Sequence, residues 1–315
     1  AFCLLALLAL LQVWQGAGRR AWLTFGGALG LGILAKGPVI LLVVLPVALL
    51  GPWWGGRQAS GRSWYGGLAL GVALGAVIAL AWAVPAALQG GEEYRNAIFW
   101  GQTAGRVSGT LAHRQPFWFY LAVLPLLLFP CFFWRRAWSA MIGAVRNRVD
   151  PGVRFCLAWM VPALVGFSLA GGKQAHYVLP LLPACALLPA IGWNATRDGR
   201  RGGLLVLALV IGLFGLVFLL PELSVGKLWL AAYAGAQWRI GGGLLILLGF
   251  AILFLVRGDL AVPWAAAVSA ALVCVVLLFV LRPMTPVFDM RPLAERIKTL
   301  EQLAVPVAHA SAYND

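Results

Sequence analysis

The sequence predicts an all-α polytopic membrane protein, and three observations carry that expectation. Of 315 residues 62% are hydrophobic and only 11% are charged, a balance that no water-soluble globule sustains. The apolar residues gather into runs on the scale of a bilayer crossing, where backbone groups must pair within their own segment and therefore form helices. Fifteen tryptophans and a series of short basic links punctuate the runs, as interfacial anchors and cytoplasmic loops do. The net charge of +14 then follows from basic loops between spans and gives no reason to expect a nucleic-acid partner. Cys3, Cys131, Cys156, Cys185 and Cys274 all fall in apolar runs with neither CxxC nor metal-ligand spacing, so they read as small buried hydrophobes.

Taken in order, the chain opens at Ala1 inside an apolar run, with no initiator methionine and no basic region ahead of it, and is read as a fragment. Residues 1–15 end one span, and 16–20 form a tight basic loop with Arg19 and Arg20. The short runs 22–35 and 39–50 make a membrane hairpin hinged at Lys36-Gly37-Pro38. A loop rich in Gly, Trp and Arg (51–64) leads to a span at 65–88. The polar segment 90–116 follows and holds Glu92, Glu93, Tyr94, Arg95, Arg106, His113 and Arg114. Spans at 117–134 and 155–170 flank a basic loop with Arg135, Arg136, Arg146, Arg148 and Arg154. The stretch GGKQAHYVLPLLP (171–183) turns the chain back into a span at 178–193. Three more spans are expected at 204–220, 240–256 and 260–281. The polar tail 282–315 has a helical stretch at 292–303 and a strand-like VPVAHAS, and reads as the start of a soluble α/β domain. Two domains result: a membrane domain over 1–281 and an outward-facing domain beginning in 282–315.

Lysine and arginine crowd into the short loops on the side of Arg19 and Arg20, which places that side in the cytoplasm. Lys36, the 90–116 segment, Lys173 and the tail then face outward together. At Lys36-Gly37-Pro38 the glycine ends one helix and the proline starts the next, so a positive helix end lies beside a cation, a favourable place for a phosphate. A snorkelling lysine in a hairpin turn fits the same residues. Arg106 and His113 are costly near an apolar face unless something anionic or polar meets them, whereas Phe117 to Tyr120 fit an interfacial aromatic belt. Lys173 and Tyr177 are four apart and would share a face if helix begins early, with His176 beside them. Pro180 and Pro183 would kink or start the span that follows.

In order, LAKGPV (34–39), FWGQTAGR (99–106), AHRQPFWFY (112–120) and GGKQAHYVLPLLP (171–183) resemble the membrane-embedded glycosyltransferases of the GT-C fold. The group meant is the one that holds the lipid A aminoarabinose transferases and the protein mannosyltransferases. The resemblance implies inverting transfer of a sugar from a polyprenyl monophosphate carrier to a lipid, glycan or protein acceptor. That reaction would take place on the periplasmic face of a bacterial inner membrane. It implies further that Lys36, Arg106, Lys173 and Tyr177 face the carrier phosphate or the active-site cavity, with His113 and His176 alongside. No cofactor is implied with certainty, and a divalent metal stays open. Two departures stand out. Gln102 and Thr103 replace the Glu-His pair of the aminoarabinose transferases, which weakens a metal-ligand reading, and the family's acidic catalytic residues fall upstream of Ala1.

The chemistry suits the residues present. Cleaving a sugar from its phosphate builds negative charge on the leaving group, and fixed cations and helix-end donors stabilise it. A carboxylate must also activate the acceptor, and Glu92 and Glu93 are the only clustered acids on the outward side, so the fragment alone is expected to be inactive. A polytopic transporter or lipid flippase is the alternative. Against it stand the lack of an inverted repeat, the lack of an acid inside any span, and the terminal domain.

Overall fold

The computed structural model describes residues 1–96, 98, 115–147, 149–193, 202–220, 236–255, 261–282, 285 and 289–303. Among them the chain is helical and holds no strand. It divides into two units, one of residues 1–128 and 137–196, the other of 129–136 and 197–315.

In the first unit α1 (Phe2–Trp14), α2 (Gly18–Lys36) and α3 (Val39–Leu49) run up, down and up as a compact set. The expected hinge is present: α2 ends on Lys36, Gly37 takes φ +74°, and Pro38 caps α3. Arg19 and Arg20 belong to the first turn of α2 rather than to a loop. The predicted loop at 51–64 is a correction. It folds as α4 (Gly51–Gly55), a 3-10 turn (Gly56–Ala59) and the first residues of α5 (Gly61–Gln89). Its tryptophans explain why. Trp54 and Trp64 are buried, and their indole N–H groups donate to the Val47 carbonyl at 2.8 Å and the Ala48 carbonyl at 3.0 Å, the last turn of α3. With Trp14, Trp22 and Phe155 they form an edge-to-face cluster, so these rings are core and not anchors.

Helix α5 lies parallel to α2 because glycines let the two backbones meet. Gly26 and Gly30 of α2 face Gly71 and Gly75 of α5, and a Cβ at Gly26 would sit 2.6 Å from the Gly71 carbonyl oxygen. This is small-residue packing at a spacing of four, the geometry favoured where lipid supplies no hydrophobic drive between helices. Beyond α5 comes the one-and-a-half-turn α6 (Gly91–Asn96).

The expected span at 117–134 is also corrected. Helix α7 runs only Phe119–Leu127, then turns through a cis Phe129-Pro130 bond into a 3-10 turn, Cys131–Phe133. Pro125 and Pro130 each remove an N–H donor, and the second stops the helix. The predicted basic loop is an amphipathic helix, α8 (Arg135–Arg146). Helix α9 (Pro151–Leu169) starts four residues ahead of its predicted span because Asp150 caps it, its side chain accepting from Val153 N at 3.1 Å with Pro151 at the first turn. The chain returns through a 3-10 segment, Ala175–Leu181, into α10 (Leu182–Gly192), with Pro183 in its first turn.

Helix α9 is antiparallel to α3: Gly166 meets Leu42, while Arg154 donates to the Trp53 carbonyl at 3.1 Å. One end of this unit therefore carries Lys36, the start of α7, the end of α9 and residues 171–181. The opposite end carries Arg19, Arg20, Arg57, Arg62, Arg146 and Arg154, the sorting that the loop charges predict.

The second unit contains α11 (Gly202–Leu219), α12 (Ala236–Leu255) and α13 (Ala261–Val275), which passes into a π-helical turn, Val276–Leu281. Helices α11 and α12 form an antiparallel hairpin closed by Gly215 against Gly242 and Gly249 against Ala208. The tail gives α14 (Arg291–Gln302), as expected, while VPVAHAS lies outside the described residues.

Among the described residues four helices, Gly61–Gln89, Pro151–Leu169, Ala175–Gly192 and Ala236–Leu253, are long and apolar enough to cross a membrane. The pair Val39–Leu49 and Gly51–Ala59, bent by 46°, makes a fifth if it is one span. Phe2–Trp14, Leu204–Leu219 and Ala266–Phe279 are apolar but shorter among the described residues.

Candidate functional site

The Lys36 end of the first unit brings three of the sequence-predicted site residues into one neighbourhood. Gly37 donates its N–H to the Ile33 carbonyl at 2.7 Å, closing the last turn of α2. The combination of φ +74° and ψ −169° at Gly37 is open only to glycine, so this turn depends on that residue. Lys36 is thereby held exposed at the helix end, with its ammonium 4.9 Å from the centre of the Tyr177 ring, a cation–π distance. The C-terminal end of α2 also suits its charge.

Tyr177 comes from the 3-10 segment, whose first turn closes from Tyr177 N to the Gln174 carbonyl at 3.1 Å. Its ring packs on Phe167 of α9 at 6.1 Å and takes the edge of His176 at 4.7 Å. Lys36 also acts electrostatically on the exposed His176 ring. Phe167 in turn meets Tyr120 at 6.3 Å, and the Tyr120 hydroxyl donates to the Gln174 carbonyl at 3.4 Å.

Lys173 behaves differently from Lys36. It is only 4% exposed, and its ammonium donates to the Gln115 carbonyl at 2.9 Å. Gln115 N reaches back to the Gly171 carbonyl at 3.5 Å, so the entrance to α7 and the 171–174 link clasp each other. The expectation that Lys173 and Tyr177 share a helical face is corrected. Lys173 lies outside any helix, Gln174 is extended, the 3-10 turn begins at Ala175, and the two side chains reach different partners. Glycines 171 and 172 and the prolines at 180 and 183 account for the absence of an early α-helix.

Arg106 and His113 lie outside the described residues, as does the Glu93 side chain. Glu92 is exposed and pairs with Arg95 at 3.3 Å. Among the described residues no group of three His, Cys, Asp or Glu side chains could hold a metal ion. The arrangement offers cations and a helix start to an anion, beside an aromatic wall.

Sequence reasoning placed Phe117 to Tyr120 together as interfacial anchors. Phe117 and Trp118 are exposed as anchors are, but Tyr120 is 1% exposed and ties α7 to the 171–174 link through its hydroxyl. A tyrosine where the surrounding run would accept phenylalanine was the available signal.

No family model matches the chain. Curated relatives include undecaprenyl phosphate-α-4-amino-4-deoxy-L-arabinose arabinosyl transferases. That of Aeromonas salmonicida is 33% identical over 135 residues, 40% of this chain and 23% of the relative. That of Serratia proteamaculans is 32% identical over 143 residues, 43% of this chain and 24% of the relative. That of Yersinia pestis (strain Pestoides F) is 28% identical over 174 residues, 48% and 30% of the two chains. The matched stretch is thus about a quarter to a third of these relatives' length. Among solved structures, ArnT from Cupriavidus metallidurans bound to undecaprenyl phosphate superposes with a TM-score of 0.60 at 22% identity. That match covers 86% of this chain and 50% of the ArnT chain. The resemblance read from the four motifs is therefore borne out in sequence by the aminoarabinose transferases, and the chain has the GT-C-type membrane fold of the ArnT structure.

Proposed function

We propose that this chain forms part of a membrane glycosyltransferase that moves a sugar from a polyprenyl-monophosphate carrier to a lipid, glycan or protein acceptor. The reaction site is at the Lys36 end of the first unit, and that end faces the periplasm of a bacterial inner membrane. One observation carries the reading. A cation held at a glycine-dependent helix end, beside the start of α3 and over Tyr177, occurs in a chain with the fold of an undecaprenyl-phosphate-bound transferase. Lys36 meets the carrier phosphate with the free amides at the start of α3. Arg106, Lys173, His113 and His176 complete the surroundings, with Lys173 fixing the α7 entrance through Gln115. Transfer inverts the anomeric carbon. Residues 1–315 alone bind the carrier without transferring sugar, because the described carboxylates are engaged elsewhere or remote in sequence. Glu92 pairs with Arg95, Asp150 caps α9, and Asp289 binds Arg291. A transporter or flippase reading gains no support from these contacts.

The experiment is to purify the protein from a bacterial membrane and identify co-extracted lipid by mass spectrometry, then repeat with Lys36→Ala. A retained polyprenyl phosphate, lost in the variant, is expected. Equal retention by both proteins would remove Lys36 from the phosphate site.

A further inference from the structure

We propose that helix α8 (Arg135–Arg146) is an interfacial helix that binds anionic phospholipid headgroups at the end of the first unit opposite Lys36. The inference is independent of sugar transfer. Four observations support it. At twelve residues with arginine at both ends, α8 is too short and too charged to cross a bilayer. One face is already used: Ala137, Ala140 and Ala144 are buried, and Ala140 packs so closely on Gly192 of α10 that a Cβ there would overlap the Ala140 carbonyl. The remainder divides in two. Trp138 is 37% exposed and Ile142 47%, side by side one turn apart, while Arg135, Ser139 and Arg146 form the polar sector next to them, all exposed. A helix with an apolar flank and an arginine flank lies in the plane of the membrane surface, its apolar side chains among the acyl chains and its cations among the phosphates.

Position supplies the fourth observation. Gly192 closes α10 and lies by the start of α9, where Ile191 meets Gly152, so α8 sits at the end where Arg19, Arg20, Arg57 and Arg62 gather. A surface this basic fits an anionic leaflet and opposes a cationic partner. Trp138 adds an interfacial anchor of the kind that holds helices at headgroup depth.

The test uses the full chain in nanodiscs of phosphatidylcholine alone and of phosphatidylcholine mixed equally with phosphatidylglycerol. Amide exchange across Arg135–Arg146 is followed by mass spectrometry. The amides should exchange roughly thirtyfold more slowly with phosphatidylglycerol, the size expected for two surface arginines at low salt. High salt should erase the difference. Substituting Arg135→Gln with Arg146→Gln should abolish it while leaving exchange in Pro151–Leu169 unchanged, which separates loss of lipid binding from misfolding. The variant Ile142→Ser should speed exchange in both lipids alike. Equal exchange of the unsubstituted protein in the two lipids would overturn the proposal. So would a lipid difference that survives the double substitution, or protection that appears only when other membrane proteins are present.

Discussion

Replacing Lys173 by methionine should separate stability from catalysis. The lysine is 4% exposed and gives its ammonium to the Gln115 carbonyl at 2.9 Å. Losing a hydrogen bond made by a charged donor costs about 1.5–3 kcal/mol. Removing a buried charge returns a desolvation penalty of several kcal/mol, and methionine keeps most of the stem's volume. Gln115 is itself exposed, so its carbonyl can turn to water. Lys173→Met should therefore leave stability unchanged or raise it by about 1 kcal/mol. Lys173→Ala, which also empties the space of the stem, should lose about 2–3 kcal/mol. Turnover should fall in both variants, on the order of 10²- to 10³-fold, if the ammonium meets charge developing on the carrier phosphate as an oxyanion donor does. Thermal unfolding in detergent and sugar transfer at saturating donor in the full-length enzyme measure the two effects. Normal turnover in Lys173→Met would remove its charge from the reaction centre. A loss of stability beyond about 2 kcal/mol would show that the desolvation penalty is overstated here.

Gly37→Ala places a Cβ on a residue at φ +74° and ψ −169° and should cost on the order of 1–3 kcal/mol, with carrier binding falling as Lys36 shifts. Unfolding and lipid retention measured on one preparation check both. Gly26→Ala drives a Cβ to 2.6 Å from the Gly71 carbonyl and should cost about 1–3 kcal/mol, whereas Gly27→Ala, which meets nothing within 4 Å, should be tolerated. Identical melting of the two would refute the close crossing of α2 and α5. In the tail, Arg291 beside Asp289 holds its carboxyl below the usual carboxylate range through side-chain hydrogen bonds of 2.8–3.0 Å. A depressed folded value means the contribution is present above the unfolded carboxylate range and is lost as pH falls through the folded value. An NMR titration of the Asp289 carboxyl should show the downward shift, and Arg291→Gln should abolish it.

The hinge at Lys36-Gly37-Pro38 was legible because glycine and proline act locally and each has one job at a helix boundary. The sorting of charge between the two ends of the first unit was legible for a similar reason, since it needs only the alternation of runs. What escaped depends on partners distant in sequence. Trp54 and Trp64 look like interfacial anchors until Val47 and Ala48 are seen to accept from them. Gly26 and Gly30 look like spare glycines until Gly71 and Gly75 appear opposite. Helix α8 looks like a basic loop by its arginines alone, and only the spacing of the alanines at 137, 140 and 144 marks a helical face. The start of α9 could have been found, for Asp150-Pro151 is a local cap-and-start signal.

The same distinction explains how far the site could be read. Lys36, Lys173 and Tyr177 were singled out as charged or hydroxylated residues at the ends of apolar runs, which composition reveals. Their individual roles follow from burial, which it does not. On the proposed function, the exposed ammonium of Lys36 over Tyr177 is the one that would meet the carrier phosphate first. The ammonium of Lys173 is already committed to Gln115, and a phosphate reaches it only by sharing or displacing that carbonyl. Displacement would loosen the entrance to α7, which Tyr120 holds through Gln174 on the same link. The two lysines thus differ in kind: one ammonium lies exposed over an aromatic ring, the other is buried on a carbonyl that ties two segments together.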